Sequence, residues 1–154
     1  MDDLRHVTAA IEVARLARAN GNHPFGAILV IGGEEVLRAE NTVVTGRDPT
    51  GHAETNLVRL AAAELDPESL RQATLYTSTE PCAMCAGAIY RSGISRVVYG
   101  LAESDLIEMT GASEQNPTLS LPCREVFARG QRETAVDGPL LIEQARAVHE
   151  GFWS

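Results

Sequence analysis

Leu4, Val7, Ile11 and Ala14 recur at helical spacing with Arg and Glu between them, which predicts a helix over 2–20 ending at Asn20-Gly21. Residues 25–31 are continuously apolar, Gly32-Gly33 reads as a turn, and 36–44 supplies a second extended run. The pair predicts a β-hairpin whose first strand is buried on both faces. A loop over 46–51 carries Asp48-Pro49, and a helix starts near His52 and runs to Leu65, where Asp66-Pro67 stops it. A strand over 73–78, a small-residue helix over 82–91 and a strand over 95–100 follow.

Beyond Gly100 the pattern weakens. Residues 101–118 are polar with few periodic cues and read as loop with room for a short helix. A helix over 122–128 and a last strand over 131–136 come next. Pro139 fits the first turn of a final helix whose stripe is Leu141, Ala145, Val148 and Phe152. Strands alternating with helices predict an α/β protein, a three-layer α/β/α sandwich around a central five-stranded mixed sheet. A helix between the last two strands makes them parallel, because a parallel pair needs a crossover.

No linker, repeat or low-complexity tract interrupts the 154 residues, so one domain is expected over the whole chain. Its 21 acidic and 13 basic residues leave a net charge of −8. Every basic residue is arginine, which rules out Schiff-base chemistry and a P-loop lysine. The acidic balance argues against nucleic acid as a partner, since phosphate affinity comes from Lys and Arg. No apolar run is long enough to span a bilayer, and Asp2-Asp3-Leu4-Arg5 puts acid where a signal peptide carries base. The expectation is a cytoplasmic protein. There, three cysteines serve as ligands, nucleophiles or buried apolar groups rather than as a disulfide framework.

Two segments concentrate the chemistry: His52-Ala53-Glu54 and Pro81-Cys82-Ala83-Met84-Cys85. A helix starting near Cys82 sets both sulfurs in its first turn on one face, and the N-terminal dipole favours thiolate there. Two thiolates and an imidazole give zinc three protein ligands and leave a fourth position for water, the pattern of a catalytic site. Glu54 is placed to sit beside that water without binding metal and to carry its proton. A closed structural site needs a fourth ligand, and Cys123 is the cysteine left to offer it, although nothing pairs with it at ligand spacing. Cys123 therefore reads as a buried or free thiol. His6, His23 and His149 lack matching partners and read as ordinary surface or cap residues. Phe152-Trp153 reads as core packing or as an aromatic lid.

The H-x-E…P-C-x-x-C arrangement is the signature of zinc deaminases. The chain resembles the cytidine and deoxycytidylate deaminase superfamily from Pro24-Phe25-Gly26-Ala27 through Asn41, residues 48–54 and residues 77–89 to Val97, Tyr99 and Gly100. The resemblance implies a cytidine deaminase-like fold and one zinc ion per subunit held by His52, Cys82 and Cys85, with Glu54 as acid–base. It also implies substrate contacts from Phe25, Asn41, the Ala53 backbone and Trp153, a small nucleobase-like substrate, and a homodimer. Residues 48–54 look like the tRNA adenosine deaminase branch, but 137–154 carries one cation, Arg146, where that branch has a basic helix. Residues 24–27, 75–78 and 87–90 look like guanine deaminase, with Asp105 and Glu108 in register with its acids. A carboxylate for the guanine edge then has to come from Glu114 or another acid. Phe152-Trp153 loosely fits the fungal-type cytosine deaminases. The expected activity is hydrolytic deamination of a small free base, guanine first and then cytosine or a nucleoside. A tRNA adenosine deaminase and a non-catalytic zinc domain are the remaining alternatives.

Overall fold

The computed structural model describes residues 2–111 and 113–153. Strands β1 (Gly26–Ile31), β2 (Glu34–Glu40), β3 (Thr74–Thr79), β4 (Arg96–Leu101) and β5 (Ala135–Asp137) form one sheet in the order β2-β1-β3-β4-β5. β1 runs antiparallel to β2 and β3, whereas β3, β4 and β5 run parallel. The expected mixed sheet and the parallel last pair are both present. Helix α4 (Ala83–Ser92) crosses from β3 to β4; α5 (Glu103–Thr110) and α6 (Cys123–Ala128) lie between β4 and β5. These crossovers make the parallel pairing feasible.

Alternation along the strands, broken in β4 between Tyr99 and Leu101, sorts the core into two layers. Ala27, Leu29, Leu75, Val97 and Tyr99 pack with residues of α2 (Ala53–Glu64), α4 and α6. Ile28, Val30, Tyr76, Val98 and Leu101 pack on the other face with α1 (Asp3–Ala19), Leu106 of α5 and Ala145 of α7 (Ile142–Ala147). α1 lies so close to the start of β1 that a Cβ on Gly26 would sit 2.4 Å from the Ala14 nitrogen and 2.6 Å from the Ala10 oxygen. At that position only glycine fits. β2 is one edge of the sheet, and its charged, exposed positions protect it from pairing with another chain. Among the described residues, no helix is long and apolar enough to cross a membrane.

Several elements depart from the sequence expectation. β2 ends at Glu40 because Asn41 Oδ1 accepts the Val43 N–H at 3.0 Å and Thr42 N donates to the Gly51 carbonyl at 2.8 Å. Local side-chain bonding thus overrides the β-branched run at 42–44. Asp66-Pro67 does more than stop α2: Asp66 accepts the Ser69 N–H at 2.8 Å and caps α3 (Pro67–Arg71). Residues 103–110 form a helix, filling the room left for a short one in a stretch that otherwise read as loop. β5 is shorter than 131–136 because Gln131 N donates to the Tyr90 hydroxyl at 2.7 Å, turning the chain around that ring. The final helix starts at Ile142, not Pro139, since Leu140 N donates to the Tyr99 and Gly100 carbonyls at 3.1 Å and holds the chain across β4.

Candidate active site

Two helix N-termini meet at the carboxyl ends of the central strands, the usual place for a site in an α/β sheet. His52 is the N-cap of α2 and Cys82 the N-cap of α4; Glu54 and Cys85 lie in the respective first turns. The ligand atoms of His52, Cys82 and Cys85 all lie within 4.8 Å of one another. Cys82 Sγ is 3.6 Å and Cys85 Sγ 3.5 Å from His52 Nδ1. Tetrahedral zinc bonded at about 2.3 Å to sulfur and about 2.05 Å to nitrogen sets an N···S separation of about 3.6 Å, so the donor set fits that ion. Among the described residues, this trio is the group arranged to hold a metal.

The electrostatics divide the protons unequally among the three ligand groups. Cys82 is pulled down to about 4, first by its hydrogen bond with Cys85, with burial opposing and the His52 hydrogen bond assisting. The Cys85 thiol moves upward for the reciprocal reason, together with its burial. Burial alone would lower His52, but its hydrogen bond to Cys82 and the charges of Glu54 and Cys82 outweigh it and raise the group. Burial, then the Cys82 charge, lifts the Glu54 carboxyl to about 7.

These groups open onto a cavity of about 240 Å³. His52, Glu54 and Cys82 line it; Cys85 is fully buried behind them. Phe25, Val43, Pro49, Met84 and Leu106 supply apolar wall, and residues 115–119 also line it. Polar positions come from His23, Thr79, Glu80 and Glu103.

A model of the cytidine and deoxycytidylate deaminase zinc-binding region matches residues 1–101. The chain belongs to that family. It is 40% identical to a probable cytosine deaminase of Schizosaccharomyces pombe over 98% of this chain and 92% of that one. A tRNA-specific adenosine deaminase of Bacillus subtilis is 41% identical over 64% of this chain and 61% of its own length. Among solved structures, a guanine deaminase from Nitrosomonas europaea superposes with a TM-score of 0.76 at 29% identity, over 93% of this chain and 80% of that one. Zinc is thus the metal of the family, and the trio is where this member would hold it.

Not every residue singled out in the sequence reaches the cavity. Phe25 lines it, whereas Asn41, Ala53 and Trp153 are not among the lining residues. Asn41 is buried and spends Oδ1 on the Val43 N–H, shaping the loop that carries Val43 to the wall. Ala53 is fully buried as the first residue of α2. Trp153 stands behind the wall, its ring centroid 5.1 Å from His23 and 6.1 Å from Phe25, and donates Nε1–H to His149 Nδ1 at 3.0 Å. Arg18 holds this C-terminal segment by donating to the Val148 and Glu150 carbonyls at 2.9 and 2.7 Å.

The histidines expected at the surface are inside: His6 is 6%, His23 4% and His149 1% exposed. His6 packs on Tyr76, His23 lines the cavity with Phe152 edge-on to it, and His149 packs edge-on against Phe25 behind the wall. Their rings carry enough apolar surface to be buried among aromatics, which a search for ligand partners overlooks. Asp105, Glu108 and Glu114 do not line the cavity; the acid that does, on the same stretch, is Glu103. Glu80 was legible as part of the cysteine segment but not in its role. Its Oε1 accepts the Glu103 N–H at 2.9 Å and its Oε2 the Cys123 N–H at 2.8 Å, so one buried carboxyl starts both α5 and α6. Cys123 is fully buried and lies outside the metal group, and burial pushes its thiol up.

Proposed function

We propose that this deaminase hydrolyses the exocyclic amino group of a small free nucleobase, cytosine before guanine. The cavity carries the reading. At about 240 Å³ it falls below the roughly 300–1,000 Å³ of pockets that enclose drug-sized ligands, so a bare ring suits it better than a nucleoside or an RNA loop. Similarity over nearly the whole length to a probable cytosine deaminase supports cytosine ahead of guanine, which the sequence segments alone favoured.

His52, Cys82 and Cys85 would hold zinc, which would supply the Lewis acidity that makes water nucleophilic at neutral pH. Glu54 does the proton work. One of its carboxylate oxygens takes the proton of the attacking water and delivers it to the exocyclic nitrogen. The C–N bond then breaks, ammonia leaves, and the ring carbon keeps the oxygen. A carboxyl lifted toward neutrality by burial both accepts and donates at physiological pH. Phe25, Val43 and Leu106 hold the ring by its faces and keep water out. Burial, then the His52 charge, lowers the His23 pKa, so a neutral imidazole able to donate and accept faces the substrate.

Steady-state ammonia release across cytosine, guanine, adenine and their nucleosides tests the proposal. Turnover of a free base at higher kcat/KM than its nucleoside supports it; turnover of nucleosides alone refutes it.

A further inference from the structure

Two polar side chains in the cavity wall have no work inside the protein. Glu103 is 5% exposed, and among the described residues its carboxyl makes no hydrogen bond or ion pair; only its backbone N–H is engaged, by Glu80. Thr79 is 2% exposed, and its Oγ1 is buried with no hydrogen-bond partner. Both line the cavity, Thr79 at the end of β3 and Glu103 just beyond β4, and these strands pair side by side through Thr79 and Leu101. A buried polar group without a partner is costly, and a carboxyl is the more costly of the two. Glu80, by contrast, already accepts a backbone N–H on each of its oxygens.

We propose that Glu103 is a specificity-determining residue whose carboxyl binds the unsubstituted ring N–H of the base that carries the sugar in the nucleoside. This rests on the deaminase reading of the same cavity and names what that cavity selects. A carboxyl oxygen accepts an N–H whether or not the group is ionised, so the role does not depend on its protonation state. Burial, then the charges of Cys82, Glu54 and Glu80, holds the carboxyl at about 8. In the acid form it also offers an O–H to an acceptor beside that N–H, making a two-point contact. Cytosine presents such a pair at N1–H and O2, and guanine at N9–H and N3. In each nucleoside the sugar has replaced that hydrogen. The substrate class is therefore an aminated heterocycle with a free ring N–H.

The test compares wild type, Glu103→Ala and Glu103→Gln, each zinc-loaded, on cytosine against 1-methylcytosine and on guanine against 9-methylguanine. Wild type is expected to favour the unmethylated base by about 100-fold or more in kcat/KM, as sites built to hydrogen-bond a group reject analogues lacking it. Glu103→Ala narrows that preference to less than about 10-fold, chiefly through KM, while Glu103→Gln, which keeps an acceptor, retains most of it. The unfolding midpoint of Glu103→Ala holds or rises, since an unpartnered buried carboxyl has been removed. An unchanged base-to-methylated-base ratio in Glu103→Ala overturns the inference, as does a lowered midpoint with unchanged ratio, which assigns Glu103 to holding α5. Calorimetric binding of the same four compounds to zinc-loaded Glu54→Ala, with and without Glu103→Ala, reads the preference without turnover. Ammonia from none of the four in wild type refutes the deaminase reading, and the binding ratio still decides the role of Glu103.

Discussion

Replacing Glu80 by Gln isolates the contribution of a single carboxylate to two helices. Its oxygens accept the Glu103 N–H at 2.9 Å and the Cys123 N–H at 2.8 Å, the opening N–H groups of α5 and α6, and the residue is 6% exposed. The amide keeps one acceptor and turns an NH2 toward the other N–H, so one bond is lost and a buried donor is left facing a donor. Hydrogen bonds to charged groups contribute about 1.5–3 kcal/mol, and an unsatisfied buried group costs about 1–3 kcal/mol. These estimates overlap, giving a net loss of about 2–4 kcal/mol. For a chain of this size that lowers the unfolding midpoint by roughly 5–15 °C. Paired urea and thermal unfolding measure it, and hydrogen exchange localises it. Faster exchange is expected over 103–110 and 123–128, with α1 unchanged. A loss below about 0.5 kcal/mol, or exchange accelerated evenly across the chain, refutes the role assigned to Glu80.

His149 gives stability an acid dependence. Burial, followed by the charges of Arg18 and Arg146, lowers its pKa to about 4, so the unfolded chain takes up the proton first. The contribution is intact above about pH 6.5 and is lost as pH falls toward 4, by about 3 kcal/mol in all; the stability difference between wild type and His149→Gln should move by that amount across the window, and a constant difference contradicts it. Gly26→Ala forces a methyl against the α1 backbone and should cost about 1–3 kcal/mol or more in urea unfolding, whereas a neutral result shows that α1 can retreat. Cys123→Ser should keep one zinc per chain by elemental analysis, and a loss of metal would make Cys123 a ligand.

The sequence made the layered fold and the convergence of His52, Glu54, Cys82 and Cys85 legible because both rest on short-range order. A continuous apolar run marks β1, short runs bounded by turn and helix signals mark β3 and β4, and each site segment begins a helix whose first turn aims its side chains at one point. What escaped depends on groups distant in the chain. α5 has a thin apolar stripe and starts on a carboxyl 23 residues upstream, which no local pattern announces. Asn41 ends β2 by a side-chain bond that competes with the β-forming residues after it. Trp153 read as core packing or as an aromatic lid, and its bond to His149 and packing against His23 and Phe25 are long-range contacts that the sequence does not announce. Glu103 looked like one more acid in a polar stretch until its burial and lack of a partner were apparent.

The central claim is that Glu54 moves the proton in a zinc-assisted deamination. The most direct measurement is single-turnover ammonia release from cytosine by zinc-loaded wild type and Glu54→Ala, with the zinc content of both determined in parallel. The account predicts equal zinc, an intact fold and a rate lowered by about 10²–10⁴-fold or more in the variant. Equal rates at equal zinc would contradict it.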